Sequence, residues 1–453
     1  MLHPTQLTPS QQEAITRLYE TDRTMFVGGL GFGKCVVGLT AITELVRAGE
    51  LRRVLVIAPL RVVESTWAAE VRKWSHLDPS LMSIATGGKS SREEALKGSA
   101  PIICINFEST KALLEEAKAN GVVFDGLLID EMTCLKSSGG ELFKVLRRWV
   151  KNVRWRVGMT ATPVAEAATD LYGQALLLDD GAALGTRYEH FLNLWCEPRD
   201  YQGYSWVLKP GAAELLSKRL HSLAYRADDS DYLLGLPPLI DEYIETPLGY
   251  EADELYKELK KNCCLEDLQV VAPNAAVTAG KLAQIASGGL YRGDDSELVW
   301  TDPEQARLSA VQFFVRRLRE PVIITYQYAF QLEALQTVYP EAPILGVAGK
   351  NIGRSCTAED LRQFNLGEIP VLLGHPKSFG MGLNLQGACR TMLHYSPMYS
   401  ADRYRQVIGR IHRRGQTQEV RRISFYSPDT VEECIIAALQ RKAQDEAAFM
   451  LHL

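Results

Sequence analysis

The sequence predicts an α/β protein with two parallel-sheet lobes, and three observations support this prediction. Short runs rich in Val, Ile and Leu recur without strict polar alternation, as expected for parallel strands covered on both faces. Stretches with helical spacing lie between these runs. Two such series are separated by a mostly helical middle, so we expect a first lobe over 1–178, helical insertions and a linker over 179–305, and a second lobe over 306–453.

Apolar runs identify the strands of both lobes. In the first lobe helical stretches such as 34–48 and 64–74 separate them, and a strand–helix–strand series predicts a doubly wound sheet. The Leu-Pro-Pro sequence at 236–238 predicts a linker, because Pro-Pro ends helices and extends the chain. The expected strands are 23–29, 53–60, 101–107, 124–130 and 155–162 in the first lobe, and 321–327, 342–349, 369–376, 389–396 and 421–427 in the second.

Bulk composition is that of an ordinary globular chain. Of 453 residues 46% are hydrophobic and 23% charged, and the net charge is −5. At roughly 150 residues per domain, this length suggests about three folding units, or two large ones with insertions. The charge does not by itself predict a nucleic-acid binder, since phosphates attract Lys and Arg, but a local basic groove would suffice. Single Arg pairs are more often a solvated surface.

Cysteine usage and hydropathy indicate the compartment. The nine cysteines show no C-x-x-C spacing, which indicates reduced thiols in a cytosolic protein. The beginning of the sequence lacks the basic-then-apolar pattern of a secretory signal. No apolar run approaches the roughly 20 residues that span a bilayer. We therefore expect a cytoplasmic protein without membrane contact.

The segment GGLGFGKC at 28–35 has the spacing G-x-x-x-x-G-K and follows an expected strand. Gly28, Gly31 and Gly33 would let backbone N–H groups turn around phosphate oxygens, and the following helix N-terminus favours negative charge. Lys34 is expected on the β- and γ-phosphates of ATP. The alternative is a Gly-rich turn with a surface lysine.

Cys35 stands where this loop normally has the Ser or Thr that binds Mg²⁺. The position predicts a metal ligand, although a thiol is a poor ligand for a hard cation.

An expected strand ends in Asp130-Glu131. Asp130 at a strand end can hold Mg²⁺, usually through water. Glu131 can orient the attacking water and accept its proton. The alternative is a common surface dipeptide. The next strand end carries Thr160 and Thr162, which could relay the γ-phosphate state to the other lobe, although small polar residues there are also ordinary turn chemistry.

The most specific string is YRQVIGRIHRRGQ at 404–416. Arg410 and Arg413 are three apart, so a helix would place both on one face. Arginine forks onto phosphate oxygens, and such a finger is typically worth about 10³–10⁵ in rate. A basic surface helix is the alternative. It explains the charge but not the neighbouring Gln406, His412 and Gln416.

With these residues in view, the chain resembles the superfamily 2 helicases, and within them the Swi/Snf-type ATPases, over nearly its whole length. The resemblance rests on motifs that occur in the family's order: LTPSQ (7–11), the segment 54–74, DEMTCLKS (130–137), LPP (236–238), VIITYQYAFQLEAL (322–335), GMGLNL (380–385) and QVIGRIHRRGQ (406–416). It implies two RecA-like lobes with ATP and Mg²⁺ in the cleft between them.

The resemblance also implies individual roles. Gln11 would read the adenine, Gln406 would lie at the nucleotide, and Asp130 with Cys35 would hold the metal. Glu131, Arg410 and Arg413 would be catalytic. The residues expected to contact nucleic acid are Pro59, Arg61, Lys136 and Ser378.

Three departures from the family pattern are visible. Cys35 replaces Thr or Ser, Met132-Thr133 replace Ala-His, and TATP replaces TGTP. The helical insertions are also short, which resembles a compact motor core of a bacterial or phage type, acting in a bacterial or phage-infected cytosol. We expect a monomer that binds duplex DNA, with possible protein partners in replication, repair or recombination.

Four functions remain open. The first is an ATP-dependent translocase on duplex DNA. The second is a strand-separating helicase, which needs a wedge such as the turn-like 201–204, although that segment could equally be a surface loop. The third is a regulatory binding module with a weakened ATPase, suggested by Cys35. The fourth is the motor for a separate nuclease.

Overall fold

A seven-stranded parallel sheet is the core of the first part of the chain, as seen in a computed structural model. The structure describes residues 1–452 apart from 30, 136, 165–166, 199–205, 228–235, 294–296, 347–352, 380–382 and 414, and apart from the side chains of 445–446 and 448–452. The chain divides into two compact units, residues 1–234 with 442–453 and residues 235–441. The segment expected as a separate middle, 179–305, is shared between them.

The strands of the first unit are β1 (Arg23–Val27), β2 (Val54–Ala58), β3 (Met82–Ile84), β4 (Ile102–Asn106), β5 (Gly126–Asp130), β6 (Trp155–Thr160), the antiparallel pair β7 (Cys196–Pro198) and β8 (Trp206–Leu208), and β9 (Ala224–Arg226). The parallel sheet has the order β3-β4-β2-β5-β6-β1-β9. All five runs expected in this lobe form strands. The strands β3 and β9, at the two edges, were not predicted.

The helices of the first unit are α1 (Pro9–Glu20), α2 (Lys34–Arg47), α3 (Ala68–Lys73), α4 (Lys89–Lys97), α5 (Phe107–Ala119), α6 (Glu141–Trp149), α7 (Asp170–Asp179), α8 (Tyr188–Trp195) and α9 (Ala212–Leu220). A π-helical turn, Val62–Trp67, precedes α3.

Gly38 sets the position of α2 on the sheet. A Cβ added there would lie 2.9 Å from the Leu128 side chain on β5 and 3.5 Å from Met159 on β6. The absence of a side chain therefore lets α2 approach these strands closely. Its first turn consequently lies at the carboxyl end of β5.

A six-stranded parallel sheet, in the order β10-β19-β18-β15-β17-β16, forms the core of the second unit. Its strands are β10 (Leu239–Glu245), β15 (Val322–Thr325), β16 (Ile344–Leu345), β17 (Val371–Gly374), β18 (Thr391–His394) and β19 (Val420–Tyr426), with two antiparallel pairs, β11 (Cys264–Leu265) with β12 (Val270–Val271) and β13 (Gly289–Arg292) with β14 (Glu297–Thr301). The five runs expected in this lobe again form strands.

The helices of this unit are α10 (Tyr250–Asn262), α11 (Ala275–Ala286), α12 (Ala306–Leu318), α13 (Ala329–Val338), α14 (Ala358–Leu366), α15 (Ala401–Ile408) and α16 (Val431–His452), which runs on into the first unit's terminal segment.

The segment after Pro238 is a strand and not only a linker. Strand β10 pairs in parallel with β19, beginning at Leu239 opposite Val420. A proline immediately before an edge strand is tolerated because no ladder hydrogen bond is lost.

A buried ion pair ties the second sheet to helices on either side of it. The Arg307 guanidinium donates to both carboxylate oxygens of Glu432, at 2.8 and 2.6 Å, and also to the Ser427 hydroxyl at 2.8 Å. Both side chains are buried. Since Arg307 lies in the first turn of α12 and Glu432 in the first turn of α16, the pair joins the starts of the two helices.

Neither a membrane-spanning helix nor a disulfide is found in the described part of the chain. Among the helices in the described part of the chain, none has the length and apolar character to cross a membrane. The nine cysteines, all of which lie in the described part, carry free thiols.

Removing Glu432 should destabilise the second unit. The change Glu432→Ala leaves the Arg307 charge buried without its partner, and loss of one member of a buried pair costs about 3–5 kcal/mol. Urea unfolding measures the loss. The exposed neighbour provides the control, since Glu433→Ala should stay within about 0.5 kcal/mol of the unaltered chain. Equal effects of the two changes would contradict the assignment.

Candidate nucleotide and nucleic-acid sites

The loop between β1 and α2 has the backbone of a phosphate cradle. Gly31 and Gly33 adopt φ values of 86° and 91°, in the left-handed region that favours glycine. The Lys34 ammonium donates to the carbonyl oxygens of Gly28 at 2.8 Å and Gly29 at 3.1 Å. The lysine therefore lies over the loop, at the N-terminus of α2, where an anion is favoured.

Gln11 links the start of α1 to this loop. Its Oε1 accepts the backbone N–H of Thr8 at 3.0 Å, which closes a capping box, and its Nε2 donates to the Phe32 carbonyl at 2.7 Å. Its contact with the adenine stays a prediction. That contact would require Gln11 to lie beside the phosphate loop, and its bond to Phe32 places it there.

Asp130 is buried at the carboxyl end of β5, and one of its oxygens receives two donors. Oδ2 accepts the Trp67 indole N–H at 2.9 Å and the Cys35 thiol at 3.7 Å. Burial raises the pKa of the Asp130 carboxyl, opposed by the hydrogen bond from Trp67 and the charge of Lys34. The carboxylate is held by side chains from two different segments.

Cys35 is a thiol donor in this arrangement. Burial raises the pKa of its thiol well above the ordinary value, and the negative charges of Asp130 and Glu70 raise it further. The thiol therefore stays protonated at neutral pH and does not suit a hard cation. The carboxylate of Asp130 does fit Mg²⁺, so the donor set supports the Asp130 half of the predicted metal site.

Asp130 would share a metal ion with the nucleotide itself. Across the described residues, no cluster of three or more His, Cys, Asp or Glu side chains could enclose a cation. Mg²⁺ is commonly bound by one or two carboxylates together with substrate phosphates and water. A nucleotide bound to the phosphate loop would bring its phosphates to the same strand edge.

Glu131 follows Asp130 in a strained conformation. Its φ is 62°, unusual for a residue with a side chain, and such conformations cost about 1–3 kcal/mol and occur preferentially at functional sites. The Thr133 hydroxyl donates to Glu131 Oε1 at 3.0 Å. Thr133, which replaces the family's His, thus helps to hold the carboxylate expected to act as the base.

The end of β6 is joined to the phosphate loop. Gly28 N–H donates to the Thr160 carbonyl at 3.0 Å, and Thr162 N–H donates to the Thr160 hydroxyl at the same distance. Thr160 is therefore bonded directly to the loop, and Thr162 is connected to it through Thr160. Their relay to the other lobe stays a prediction.

The segment after β2 carries two of the residues expected at nucleic acid. The Pro59 carbonyl accepts the N–H groups of Val62 at 2.8 Å and Val63 at 3.1 Å, and so opens the π-helical turn. Arg61 is exposed and Pro59 is half-buried. Lys136, also expected to contact nucleic acid, lies outside the described residues.

The helical prediction for Arg410 and Arg413 is wrong. Helix α15 ends at Ile408, and both arginines lie in the turns that follow. Each of them nevertheless bonds to a carbonyl of the segment that follows β17. Arg410 Nε donates to the Phe379 carbonyl at 3.2 Å, and Arg413 Nη1 donates to the Leu383 carbonyl at 3.1 Å. Tertiary hydrogen bonds to a neighbouring loop, and not a helix face, position the pair.

The flanking polar residues support these turns. His412 Nε2 lies 2.8 Å from the Pro237 carbonyl, and Gln416 Nε2 donates to the carbonyls of Cys389 and Ile411. Gln406 donates to Asp402 at 2.8 Å. His412 and Gln416 therefore have structural roles, while the nucleotide contact of Gln406 stays a prediction.

A groove in the second unit was missed by the sequence analysis. It has a volume of about 260 Å³, and we call it the basic groove; its lining residues are Gln327, Tyr328, His375, Pro376, Lys377, Met398, Tyr399, Ser400 and Arg403. It lies at the carboxyl ends of β15, β17 and β18. Burial lowers the pKa of His375, and the positive charges of Lys377 and Arg403 lower it further.

The basic groove thus has a positive field next to the N-terminus of α15, which Ser400 caps. Ser378, expected at nucleic acid, directly follows its Lys377. No local motif signals the groove, because its residues come from three separate strand ends.

Comparisons with known proteins agree with this architecture. The DEAD/DEAH box helicase family matches residues 8–171, and the helicase conserved C-terminal domain matches residues 308–415. The chain is 31% identical to the putative protein p41 of Acyrthosiphon pisum secondary endosymbiont phage 1, over 94% of each chain. It is 22% identical to the uncharacterized ATP-dependent helicase YqhH of Bacillus subtilis, over 96% of this chain and 78% of that protein.

Chromatin-remodelling relatives are much longer. The chain is 23% identical to the SWI/SNF chromatin-remodeling complex subunit snf22 of Schizosaccharomyces pombe, over 91% of this chain but 26% of that protein. Among solved structures, the Sulfolobus solfataricus SWI2/SNF2 ATPase core in complex with dsDNA aligns over 98% of this chain and 95% of its own, at 19% identity and a TM-score of 0.44.

Two parallel-sheet units, together with the two helicase family matches, identify an ATP-hydrolysing helicase. The chain belongs to the superfamily 2 helicases, and within them to the Swi/Snf-type ATPases. The predicted fold class and the ATP-dependent helicase activity are confirmed.

Gly33→Ala should disable the phosphate loop for a reason specific to its surroundings. A Cβ there would lie 2.6 Å from Gln11 Nε2, so loop and glutamine must separate. We expect ATP turnover to fall by about 100-fold, as a displacement of ~1 Å can cause at a catalytic site.

Gly49→Ala is the matched control. Gly49 also has positive φ, but no atom of the described residues lies within 4 Å of an added Cβ. It should cost about 1–2 kcal/mol in backbone strain and leave turnover unchanged. Equal loss of turnover in both variants would refute the specific role of Gly33.

Proposed function

We propose that the chain is an ATP-driven motor that tracks along duplex DNA, with ATP held by the phosphate loop of the first unit and by Arg410 and Arg413 of the second. The observation that carries the proposal is the assembly at one edge of the first sheet. There Lys34, Asp130 and the strained Glu131 lie at the ends of neighbouring segments.

The catalytic roles follow from the chemistry of each group. Lys34 leaves its loop carbonyls for the β- and γ-phosphates. Glu131, held by Thr133, orients the attacking water and accepts its proton. Arg410 and Arg413 stabilise the charge on the transferred phosphoryl group. Mg²⁺, bound by Asp130 and phosphate oxygens, would supply further charge neutralisation.

Nucleic-acid binding would be mostly to phosphates and therefore independent of sequence. In the first unit the proposed contacts are Pro59, Arg61 and Lys136. In the second they are Ser378 and the two cations that line the basic groove, Lys377 and Arg403. Duplex DNA is the proposed track, because the Swi/Snf-type ATPases that the chain resembles usually track along duplex DNA.

The decisive experiment compares ATP hydrolysis with duplex DNA, single-stranded DNA and RNA side by side. The proposal expects the largest stimulation with duplex DNA. Stimulation by RNA or by single-stranded DNA alone would show that this nucleic acid, and not duplex DNA, is the track. No stimulation by any of the three nucleic acids would reject the motor.

Lys377→Ala and Arg403→Ala should weaken DNA binding in a defined way. Each change should lower affinity similarly for unrelated duplex sequences, and should reduce the slope of log K against log salt concentration by about 0.9 per lost phosphate contact. Binding titrations at several salt concentrations measure both effects.

Arg362→Ala serves as the control for these variants. Arg362 is exposed on α14 of the same unit, but its guanidinium is paired with Glu359 at 2.6 Å. Its removal should leave the salt slope unchanged. A slope reduced equally by all three changes would show only a general charge effect.

Translocation along duplex DNA does not by itself separate the two strands. It requires a wedge element, and the candidate 201–204 lies outside the described residues. A strand-displacement assay separates the two activities. The motor of a separate nuclease stays an alternative to this proposal. The proposal also includes protein partners in replication, repair or recombination, and a monomer in a bacterial or phage-infected cytosol.

A second candidate function is a regulatory binding module with slow ATP turnover. The observation that favours it is the contact between Cys35 and Asp130, because a thiol bonded to the metal carboxylate replaces a hydroxyl that would bind the metal. Such a module would respond to nucleotide occupancy more than to repeated hydrolysis.

Cys35→Thr distinguishes the two functions. The hydroxyl restores a ligand suited to Mg²⁺, so a slow regulatory module should bind nucleotide with similar affinity and turn it over faster. A rate in the original chain already at roughly 1–100 s⁻¹, and unimproved by the change, would reject the regulatory module. Single-turnover and steady-state ATPase assays supply both numbers.

A further inference from the structure

We propose that Trp67 is a positioning residue that couples nucleic-acid binding after β2 to the Asp130 carboxylate of the ATP site. The proposal rests on the proposed function, since it takes residues 59–61 as a nucleic-acid contact and Asp130 as the metal carboxylate. It goes further by naming the side chain that connects them.

The connection is a single short segment with two different ends. Its outer end is accessible, with Leu60 43% exposed and Arg61 also exposed. Its inner end is Trp67, which is fully buried. Between them runs the π-helical turn Val62–Trp67. Such turns are rare and occur frequently at functional sites. A displacement at the outer end reaches the inner end within about two turns.

The inner end touches the carboxylate directly. The Trp67 indole N–H donates to Asp130 Oδ2 at 2.9 Å. On the other side, the indole ring closely approaches α2, since a Cβ added at Gly38 would lie 3.5 Å from it. Because the ring is enclosed and hydrogen-bonded, movement of the turn alters the geometry at Asp130.

The same oxygen also receives the Cys35 thiol, which belongs to the first turn of α2. Asp130 Oδ2 is therefore shared between a donor from the phosphate-loop helix and a donor from the proposed nucleic-acid segment. Coupling between two ligands is reciprocal. Nucleic acid bound at the π-helical turn should favour ATP hydrolysis. Nucleic acid should change the affinity for nucleotide by some factor, and nucleotide should change the affinity for nucleic acid by the same factor.

Trp67→Phe tests the coupling, with Trp155→Phe as the matched control. Trp155 lies in the same unit, is equally buried, and also donates its indole N–H, in this case to the Leu18 carbonyl at 3.0 Å. Both variants lose one indole hydrogen bond and similar volume. Only Trp67→Phe loses the bond to Asp130.

The readouts are the ratio of duplex-stimulated to basal ATP hydrolysis, and duplex affinity with and without a non-hydrolysable ATP analogue. For Trp67→Phe we expect the stimulation ratio to fall about tenfold, as loss of a hydrogen bond to a charged group implies. We also expect the analogue to lose its effect on duplex affinity. Trp155→Phe should keep both responses.

Ser65→Ala keeps the test informative if Trp67→Phe fails to fold. Ser65 is exposed, and its hydroxyl donates to the Arg61 carbonyl inside the turn. Loosening the turn there should lower stimulation about threefold, with basal turnover unchanged.

Unchanged stimulation in Trp67→Phe, or in Ser65→Ala where Trp67→Phe does not fold, would overturn the coupling role. An equal loss in Trp155→Phe would do the same, because it would indicate general destabilisation. Failure of the proposed function is distinguishable, since it would appear as absent stimulation in the unaltered chain.

Discussion

The buried carboxylate of Asp130 is the constraint on which the first site depends. A carboxylate removed from water is costly unless hydrogen-bonded or paired. Here the Trp67 indole and the Cys35 thiol supply hydrogen bonds, and Lys34 supplies positive charge nearby. Trp67 comes from the segment after β2, whereas Cys35 and Lys34 both come from the start of α2. The need to compensate one buried charge therefore fixes the phosphate-loop helix, the strand end and the π-helical turn relative to one another.

That arrangement depends in turn on a position without chemistry of its own. Gly38 lets α2 lie directly on β5 and β6, and so carries Cys35 to the end of β5. A larger residue there would move the helix start away from Asp130. The second unit relies on a different device, because Arg410 and Arg413 are held by carbonyls of the segment they contact. The first site is set by helix-on-sheet packing and the second by loop hydrogen bonds.

The sequence predicted the sheets well, because ten of the buried parallel strands can be recognised as apolar runs. It missed β10, whose half-buried strand carries Asp241 and Glu242. These charges are accommodated by Arg422 and Arg421 on β19, a pairing that joins positions about 180 residues apart and has no local signal. The same limit hid the basic groove. Arg410 and Arg413 do not share a helix face as the spacing predicted, since tertiary contacts to Phe379 and Leu383 position them instead.

Cys35 links the geometry of the site to the expected rate of ATP hydrolysis. As a protonated thiol it contributes a long hydrogen bond to the metal carboxylate, while a hydroxyl at the same place would bind the metal itself. In the proposed site, Asp130 would then hold the metal with help from nucleotide phosphates and water, and its own orientation would become more important. The other donor to that orientation is Trp67, at the end of the segment proposed to touch nucleic acid. With no suitable metal ligand at position 35, the proposed coupling through Trp67 would make turnover depend more on the nucleic-acid track.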